Sequence, residues 1–278
     1  MVEIHPLQTG RLRMKVAQQE PGAAGLARVL FSRTWTPWLP ILAWAIVHPE
    51  GVFVVDTGET AQATRKGYYP RWHPYYRTSL QLDLRPEDEI GPQLRRLSVD
   101  PAEDVRAVLL THFHTDHVGG LGHFPSIRTL AAAESVRATQ GLRGRLNGYL
   151  PHRLPAGFEP EPLSFGDGPL GPFARSQALT TDGVVRVVPT LGHAPGHVSV
   201  VVRAGGLSYF LAGDTSYTQT KLLKREADAV TSTPERMREA QRLVLDFAKQ
   251  EPLVYLPSHD PHSVERLQTE AALVAGAG

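Results

Sequence analysis

Residues 111–120 read THFHTDHVGG and follow directly on the apolar run RAVLL at 106–110. That run is short, apolar and bounded by polar residues, as a buried strand is, so the next segment leaves the core as a loop. Three imidazoles and one carboxylate then fall within six positions: His112, His114, Asp116 and His117. On such a loop alternate side chains splay outward. His112 and His114 can face one metal together, while Asp116 and His117 turn toward a neighbouring point. Nitrogen and carboxylate oxygen suit a divalent ion, and this density is far from that of an ordinary polar loop.

Composition narrows the chemistry. The chain holds 12 His and no Cys in 278 residues, which excludes disulfides, thiolate ligands and cysteine nucleophiles. Any borderline metal must be held by imidazole and carboxylate. The 29 Lys+Arg against 28 Asp+Glu leave a net charge of +1, so no nucleic-acid or membrane partner is expected. No repeat or linker interrupts residues 1–278, and one domain is expected over that span. The first residues lack a basic segment followed by an apolar one, so no secretory signal is read and a cytoplasmic location is expected. The apolar run 39–47 is too short for a bilayer, which needs about 20 residues.

The remaining pattern alternates strands and helices. Residues 39–47 and 52–55 read as a hairpin turning at 49–51, and 184–189, 198–203, 207–212 and 253–256 read as short strands. Residues 86–97 read as one amphipathic helix and 131–140 as another. Thr233 as N-cap and Pro234 after it open a helix to about residue 250, burying Met237, Ala240, Leu243, Val244 and Phe247. A short helix is expected after the last strand.

Further motifs follow in order: TLGHAPGH with His193, GDTSY with Asp214, PSHD with His259, and upstream VVDTG with Asp56. With HFHTDH as an HxHxDH motif, the chain resembles the metallo-β-lactamase superfamily of hydrolases over about residues 39–260. The resemblance implies an α+β fold, an αββα sandwich of two mixed sheets flanked by helices. It implies that His112, His114 and His193 hold one metal, that Asp116, His117 and His259 hold a second, and that Asp214 bridges them. Two divalent ions are implied, zinc first, with cobalt, manganese and iron also suiting such ligands. Asp56 would support the site without ligating, and Asp260 could orient an imidazole. Of the two histidines in GHAPGH, the family pattern puts the ligand first. His197 is left as a supporting or structural residue, as is His262.

Fold alone does not settle the substrate. The missing cysteine removes thiolate-ligated β-lactamases, and Asp214 sits where the His-only β-lactamases lack a carboxylate. Within the superfamily the chain is most similar to the N-acyl homoserine lactonases, which carry a Tyr three residues after the bridging Asp, as Tyr217 stands to Asp214. The resemblance implies attack of a metal-bridging hydroxide on the ring carbonyl, with Tyr217 donating to the oxyanion and Asp116 shuttling the proton. The short stretch after His259 is similar to how those lactonases end. The aromatic segment YYPRWHPYY at 68–76 is expected to be an irregular loop. Tyr69 and Trp72 from it, with Trp35, Trp38 and Phe113, are expected to wall an apolar pocket for an acyl chain, and a homodimer contact is the other use of such a loop. The enzyme alternative is a phosphodiesterase, phosphotriesterase-like or arylesterase activity on the same metals. The non-enzyme alternative is a metal-bound ligand-sensing protein.

Overall fold

The computed structural model describes residues 2–21 and 25–274. Seven strands form the first sheet, in the order β4-β1-β2-β3-β5-β6-β7. They are β1 (Glu3–Met14), β2 (Leu39–His48), β3 (Gly51–Val55), β4 (Leu80–Asp83), β5 (Val105–Leu109), β6 (Thr129–Ala131) and β7 (Glu161–Pro162). The second sheet has five strands in the order β12-β11-β10-β9-β8. These are β8 (Gln177–Ala178), β9 (Val185–Pro189), β10 (Val198–Ala204), β11 (Leu207–Gly213) and β12 (Leu253–Pro257). Both sheets are mixed: β3, β5, β6 and β7 pair in parallel, as do β11 and β12, and the other pairs are antiparallel.

Strand periodicity sorts side chains into three apolar layers. On β2, Leu42, Trp44 and Ile46 point inward and meet Val187, Val200 and Leu211 of the second sheet. Ala43 and Ala45 face the other way, where Ile90 and Leu94 of the helix Ile90–Arg96 cover them. On the far side Val201, Phe210 and Tyr255 lie under Val244 and Phe247 of the helix Pro234–Ala248. Each sheet is therefore buried on both faces, and the fold is the expected α+β, αββα sandwich.

Several elements depart from the sequence reading. The helix expected over 131–140 runs Ala133–Ala138, after the strand Thr129–Ala131, and two others change the packing. The expected helix over 86–97 divides into a 3-10 turn, Pro86–Asp88, and the helix Ile90–Arg96, with extended Glu89 between. Pro92 has no N–H and clashes inside a helix, so it is accommodated only in the first turn of a helix that starts at Ile90. The strand β1 was not expected, because Pro6 and Gly10 interrupt its alternation. Pro6 is tolerated because β4 pairs only with Arg11–Met14 of β1, leaving the first half of β1 as an edge. At Gly10 the backbone turns to φ 103°, where the register with β2 shifts.

The loops that carry the HxHxDH, GHAPGH, GDTSY and PSHD motifs follow β5, β9, β11 and β12. Backbone bonds tie them to one another and to the strands: Val198 N–H donates to Thr111 O (3.1 Å), Leu42 N–H to Ser258 O (3.0 Å) and Ser258 N–H to Gly213 O (3.1 Å). The strand ends thus gather four separate motifs at one place.

Candidate metal centre

At the end of β5 the backbone leaves the sheet and turns into the short helix Thr115–Val118. His112 is buried there, while Phe113 between the two histidines points the opposite way into the outer core of the first sheet. Seven side chains converge in two groups whose ligand atoms lie within 4.8 Å of one another: His112, His114, His193 and Asp214, then Asp116, His117 and His259. Asp214 reaches both. Its Oδ2 is 3.2 Å from His193 Nε2, and its Oδ1 is 3.5 Å from both His117 Nε2 and His259 Nε2. Asp116 Oδ2 lies 3.3 Å from His259 Nε2.

The imidazoles are aimed from behind. Asp56, buried beneath the loop, accepts from Thr111 N–H (2.7 Å), the Thr111 hydroxyl (2.8 Å) and His117 Nδ1–H (2.7 Å). Thr111 Oγ1, having given its proton to Asp56, accepts from His112 Nδ1–H at 3.0 Å. His259 Nδ1–H donates to Pro40 O at 2.9 Å. With Nδ1 engaged, the Nε2 lone pairs of His112, His117 and His259 face inward.

His197 does not join either group. Its Nδ1–H donates to Thr190 O (3.0 Å), and its Nε2 accepts from Asp214 N–H (3.0 Å), so it holds the backbone of the carboxylate that spans the groups. Asp260 does not orient an imidazole. It accepts from Gln219 N–H, His262 N–H and Arg266 Nη2, and so fixes the loop after His259. His262 is exposed and pairs with Glu265 at 3.2 Å.

A cation fits what is present. His114 Nδ1 stands 2.9 Å from His112 Nε2 and 3.1 Å from His193 Nε2, and one proton on it cannot satisfy both neighbours. His117 Nε2 and Asp214 Oδ1 are buried without any hydrogen-bond partner. Orphaned polar atoms of this kind are costly to bury, and converging nitrogen lone pairs are the donor set of a divalent ion. Burial and the neighbouring imidazoles hold His112 and His193 well below the usual histidine range, so both stay neutral. At His117 and His259 burial is outweighed by the carboxylates of Asp214 and Asp116, with Asp56 at His117, and the imidazoles are raised, so that part of the site favours positive charge. A further trio, His48, Glu50 and Asp182, offers no such site. The ring nitrogens of His48 are spent on Glu50 N–H (3.1 Å) and Asp182 (3.0 Å), and Glu50 accepts from Thr181.

A cavity of about 870 Å³ opens above the two groups, bordered by Asp116, Asp214, His193, His259 and Tyr217. Tyr217 is buried, its ring centroid 6.0 Å from that of His193 and 5.8 Å from that of His259. Burial, with the carboxyls of Asp228 and Asp214 nearby, pushes its phenol well above 10, so it keeps its proton. Leu12, Met14, Leu80 and Leu82, which pack with Tyr217, give the cavity an apolar wall, and Arg137, Arg143 and Arg236 also border it.

The aromatic segment reaches the cavity, but through other side chains than Tyr69 and Trp72, and Trp35, Trp38 and Phe113 do not border it. Trp35 and Trp38 lie outside the cavity under the cations of β1 and the residue after it: Lys15 is 3.7 Å from the Trp35 ring, and Arg13 is 5.0 Å from that of Trp38. Tyr69 stacks behind Tyr76 at 4.2 Å and donates to Glu59 Oε2 at 2.8 Å. Trp72 is 55% exposed on the outer surface, and Phe113 packs edge-on against Phe158. From the aromatic segment, His73, Tyr75 and Tyr76 border the cavity instead, because the segment contains a helix, Pro74–Thr78, that sets which side chains turn inward. Tyr149, unforeseen, stacks on His114 at 5.4 Å. Nothing local in the sequence marks it.

Comparison with known proteins agrees with this architecture. Residues 36–259 match the family described as the metallo-beta-lactamase superfamily. The N-acyl homoserine lactonase AttM of Azorhizobium caulinodans is 27% identical over 280 residues, covering 94% of each chain. A "probable metallo-hydrolase" of Mycobacterium tuberculosis is 30% identical over 229 residues, covering 76% of this chain and 72% of its own. Among solved structures, an N-acyl homoserine lactone hydrolase with the product N-hexanoyl-L-homoserine at its catalytic metal centre superposes with a TM-score of 0.74. It is 18% identical and covers 97% of this chain and 98% of its own. By its matched residues, its sandwich and the convergence of its motifs, the chain belongs to the metallo-β-lactamase superfamily.

Proposed function

We propose that this metal-dependent hydrolase opens the lactone ring of N-acyl homoserine lactones or related lactones. It would use two divalent ions, one held by His112, His114 and His193, the other by Asp116, His117 and His259, with Asp214 shared. Zinc suits this donor set, and cobalt, manganese and iron suit it as well. The observation that carries the reading is Tyr217, a buried phenol set beside both groups on a cavity whose near wall is apolar. Relatives named N-acyl homoserine lactonase, aligned over 94% of the chain, support it.

Two ions at such a site supply a water acidic enough to attack at neutral pH and an electrophile for the ring carbonyl. The protein's own groups do the rest. Asp214, within 3.5 Å of His193 on one side and of His117 and His259 on the other, would be the carboxylate shared between the two groups. Tyr217 donates a hydrogen bond from its hydroxyl to the carbonyl oxygen as negative charge builds there, keeping its proton, as an oxyanion-hole donor does. Asp116, at the cavity floor, takes the proton released on attack and returns it to the leaving alkoxide. Leu12, Met14, Leu80 and Leu82 exclude water from one side and receive an acyl chain.

The test is a panel of lactone, aryl ester, phosphodiester and phosphotriester substrates on metal-loaded protein. Lactone turnover is expected, falling about 10-fold or more in Tyr217→Phe with both metals retained. Turnover of another class with no lactone hydrolysis would overturn the reading. Unchanged lactone hydrolysis in Tyr217→Phe would remove the role given to Tyr217.

A further inference from the structure

Gln18 lies at the end of the short helix Val16–Gln19, 199 positions from Tyr217 in sequence. Its Nε2–H donates to the Tyr217 phenol oxygen at 3.0 Å, both side chains are buried, and both border the cavity. Among the described residues the phenol makes one hydrogen bond, the one it receives from Gln18, so its own proton is bound to no protein acceptor, although the Asp228 and Asp214 carboxyls lie nearby. The backbone around Gln18 is tied down: Gln18 O accepts from Ala229 N–H (3.0 Å), Val16 N–H donates to Thr34 O (3.0 Å), and Gln18 N–H donates to Lys15 O (2.9 Å).

The amide is oriented at a cost. Gln18 Oε1 is buried with no hydrogen-bond partner. Were the amide turned over, Oε1 would face Tyr217, accept the phenol proton and remove it from the cavity. The observed arrangement does the opposite. It occupies the phenol oxygen with a donor, which polarises the O–H bond and leaves the proton free for an acceptor in the cavity.

We infer that Gln18 is a positioning residue for the reaction. It acts through Tyr217, locking the phenol in place over the metal groups and reserving its proton for the substrate oxyanion. This rests on the role of Tyr217 proposed above and assigns the part of the molecule that makes that role possible.

Two isosteric substitutions test it in the metal-loaded enzyme. Gln18→Met keeps the volume and removes the donor. Gln18→Glu keeps the shape and, at a pH high enough to ionise a carboxyl buried there, presents only acceptors, so it claims the phenol proton; its effect is read across a pH profile. Gln18→Met is expected to lower kcat for lactone about 5-fold with KM little changed, the effect of losing one neutral hydrogen bond in the transition state. Once ionised, Gln18→Glu is expected to lower kcat at least as far as Tyr217→Phe does. Combining either with Tyr217→Phe should add no further loss, because both act through one hydroxyl.

A purely structural role moves other readouts. Since Oε1 is already unpaired, Gln18→Met should leave the melting temperature and the content of two metals unchanged or higher. Full kcat in Gln18→Met, or losses that multiply with that of Tyr217→Phe, would overturn the inference while leaving Tyr217 in its role. So would a loss of activity that only tracks a fall in melting temperature or metal content. If Tyr217→Phe itself hydrolyses lactone at the full rate, the role of Tyr217 and this inference fall together.

Discussion

At Asp56 the backbone takes φ 58°, a conformation that Asp tolerates better than most residues, and the carboxylate turns under the histidine loop. Its three accepted bonds set the tautomer of His117 and, through Thr111, that of His112. Asp56→Ala should weaken metal affinity about 10- to 100-fold in chelator-competition titrations, although Asp56 touches no metal position. Glu59 is a second buried acid near the site, with Oε1 on Thr60 N–H (3.0 Å) and Oε2 on the Tyr69 hydroxyl. Burial, with the charge of Asp116 nearby, pushes its carboxyl from 4.5 to about 7. Its folded-state value lies above its unfolded one, so the folded protein holds the extra proton between those two values. Stability is therefore full below pH 4.5 and is lost as pH rises through about 7. The shift corresponds to about 3 kcal/mol. In urea denaturation of the metal-free protein, Glu59→Gln should flatten that decline and stand above the parent at pH 8. Parallel pH profiles would refute the assignment. Asp56 could be read as a supporting acid from its motif, whereas nothing near Glu59 in sequence announces Tyr69 or Asp116 as its neighbours.

Among the elements, the helix Pro234–Ala248 and the turn after β11 show two separate demands on the chain. Phe247 is buried in the outer apolar layer, beside Phe173 at 6.1 Å and away from the metal groups. Phe247→Ala should cost about 3–5 kcal/mol in chemical denaturation and leave the metal affinity of the folded protein intact. Gly213 sits at φ 53°, and a Cβ there would lie 2.8 Å from His197 Nε2 and 3.0 Å from Thr111 Oγ1. Gly213→Ala should therefore displace the two side chains that hold Asp214 and His112, and metal affinity should fall by more than Phe247→Ala lowers it. The two outcomes are separated by measuring both quantities in both variants. The long elements were legible from periodicity, as the helix at 234 and the strands at 185, 198, 207 and 253 illustrate. β1 was not, because its Pro and Gly are tolerated only by an edge and a register shift that exist after pairing. The segment at 68–76 was legible as aromatic but not in direction: a helix at 74–78 turns Tyr75 and Tyr76 toward the cavity and leaves Trp72 outside.

For the molecule as a whole, the two sheets meet face to face so that loops from four strand ends deliver seven ligand-type side chains to one point. Without a cation, that convergence leaves orphaned lone pairs and a buried carboxylate oxygen. Metal binding should therefore be linked to folding. Adding zinc to chelator-stripped protein should raise the stability by about 2.7 kcal/mol when free metal is 100-fold above its dissociation constant, read as a rise in melting temperature. A melting temperature indifferent to metal would speak against the assigned ligand set. Among the described residues no helix is long and apolar enough to cross a membrane. What the sequence determined by itself was the chemistry available: imidazole and carboxylate without thiol, clustered after strands in the order of a known superfamily. Local spacing suffices for that, because a motif of six residues on one loop is placed by that loop's own backbone. What only the tertiary structure decided was which groups meet across long separations. It brought Gln18 to Tyr217, Asp56 to His117 and Leu12 to the cavity wall, and set Trp35 and Trp38 outside it. Contacts of that kind depend on strand register and sheet packing, for which a linear pattern carries no signal until the chain has folded.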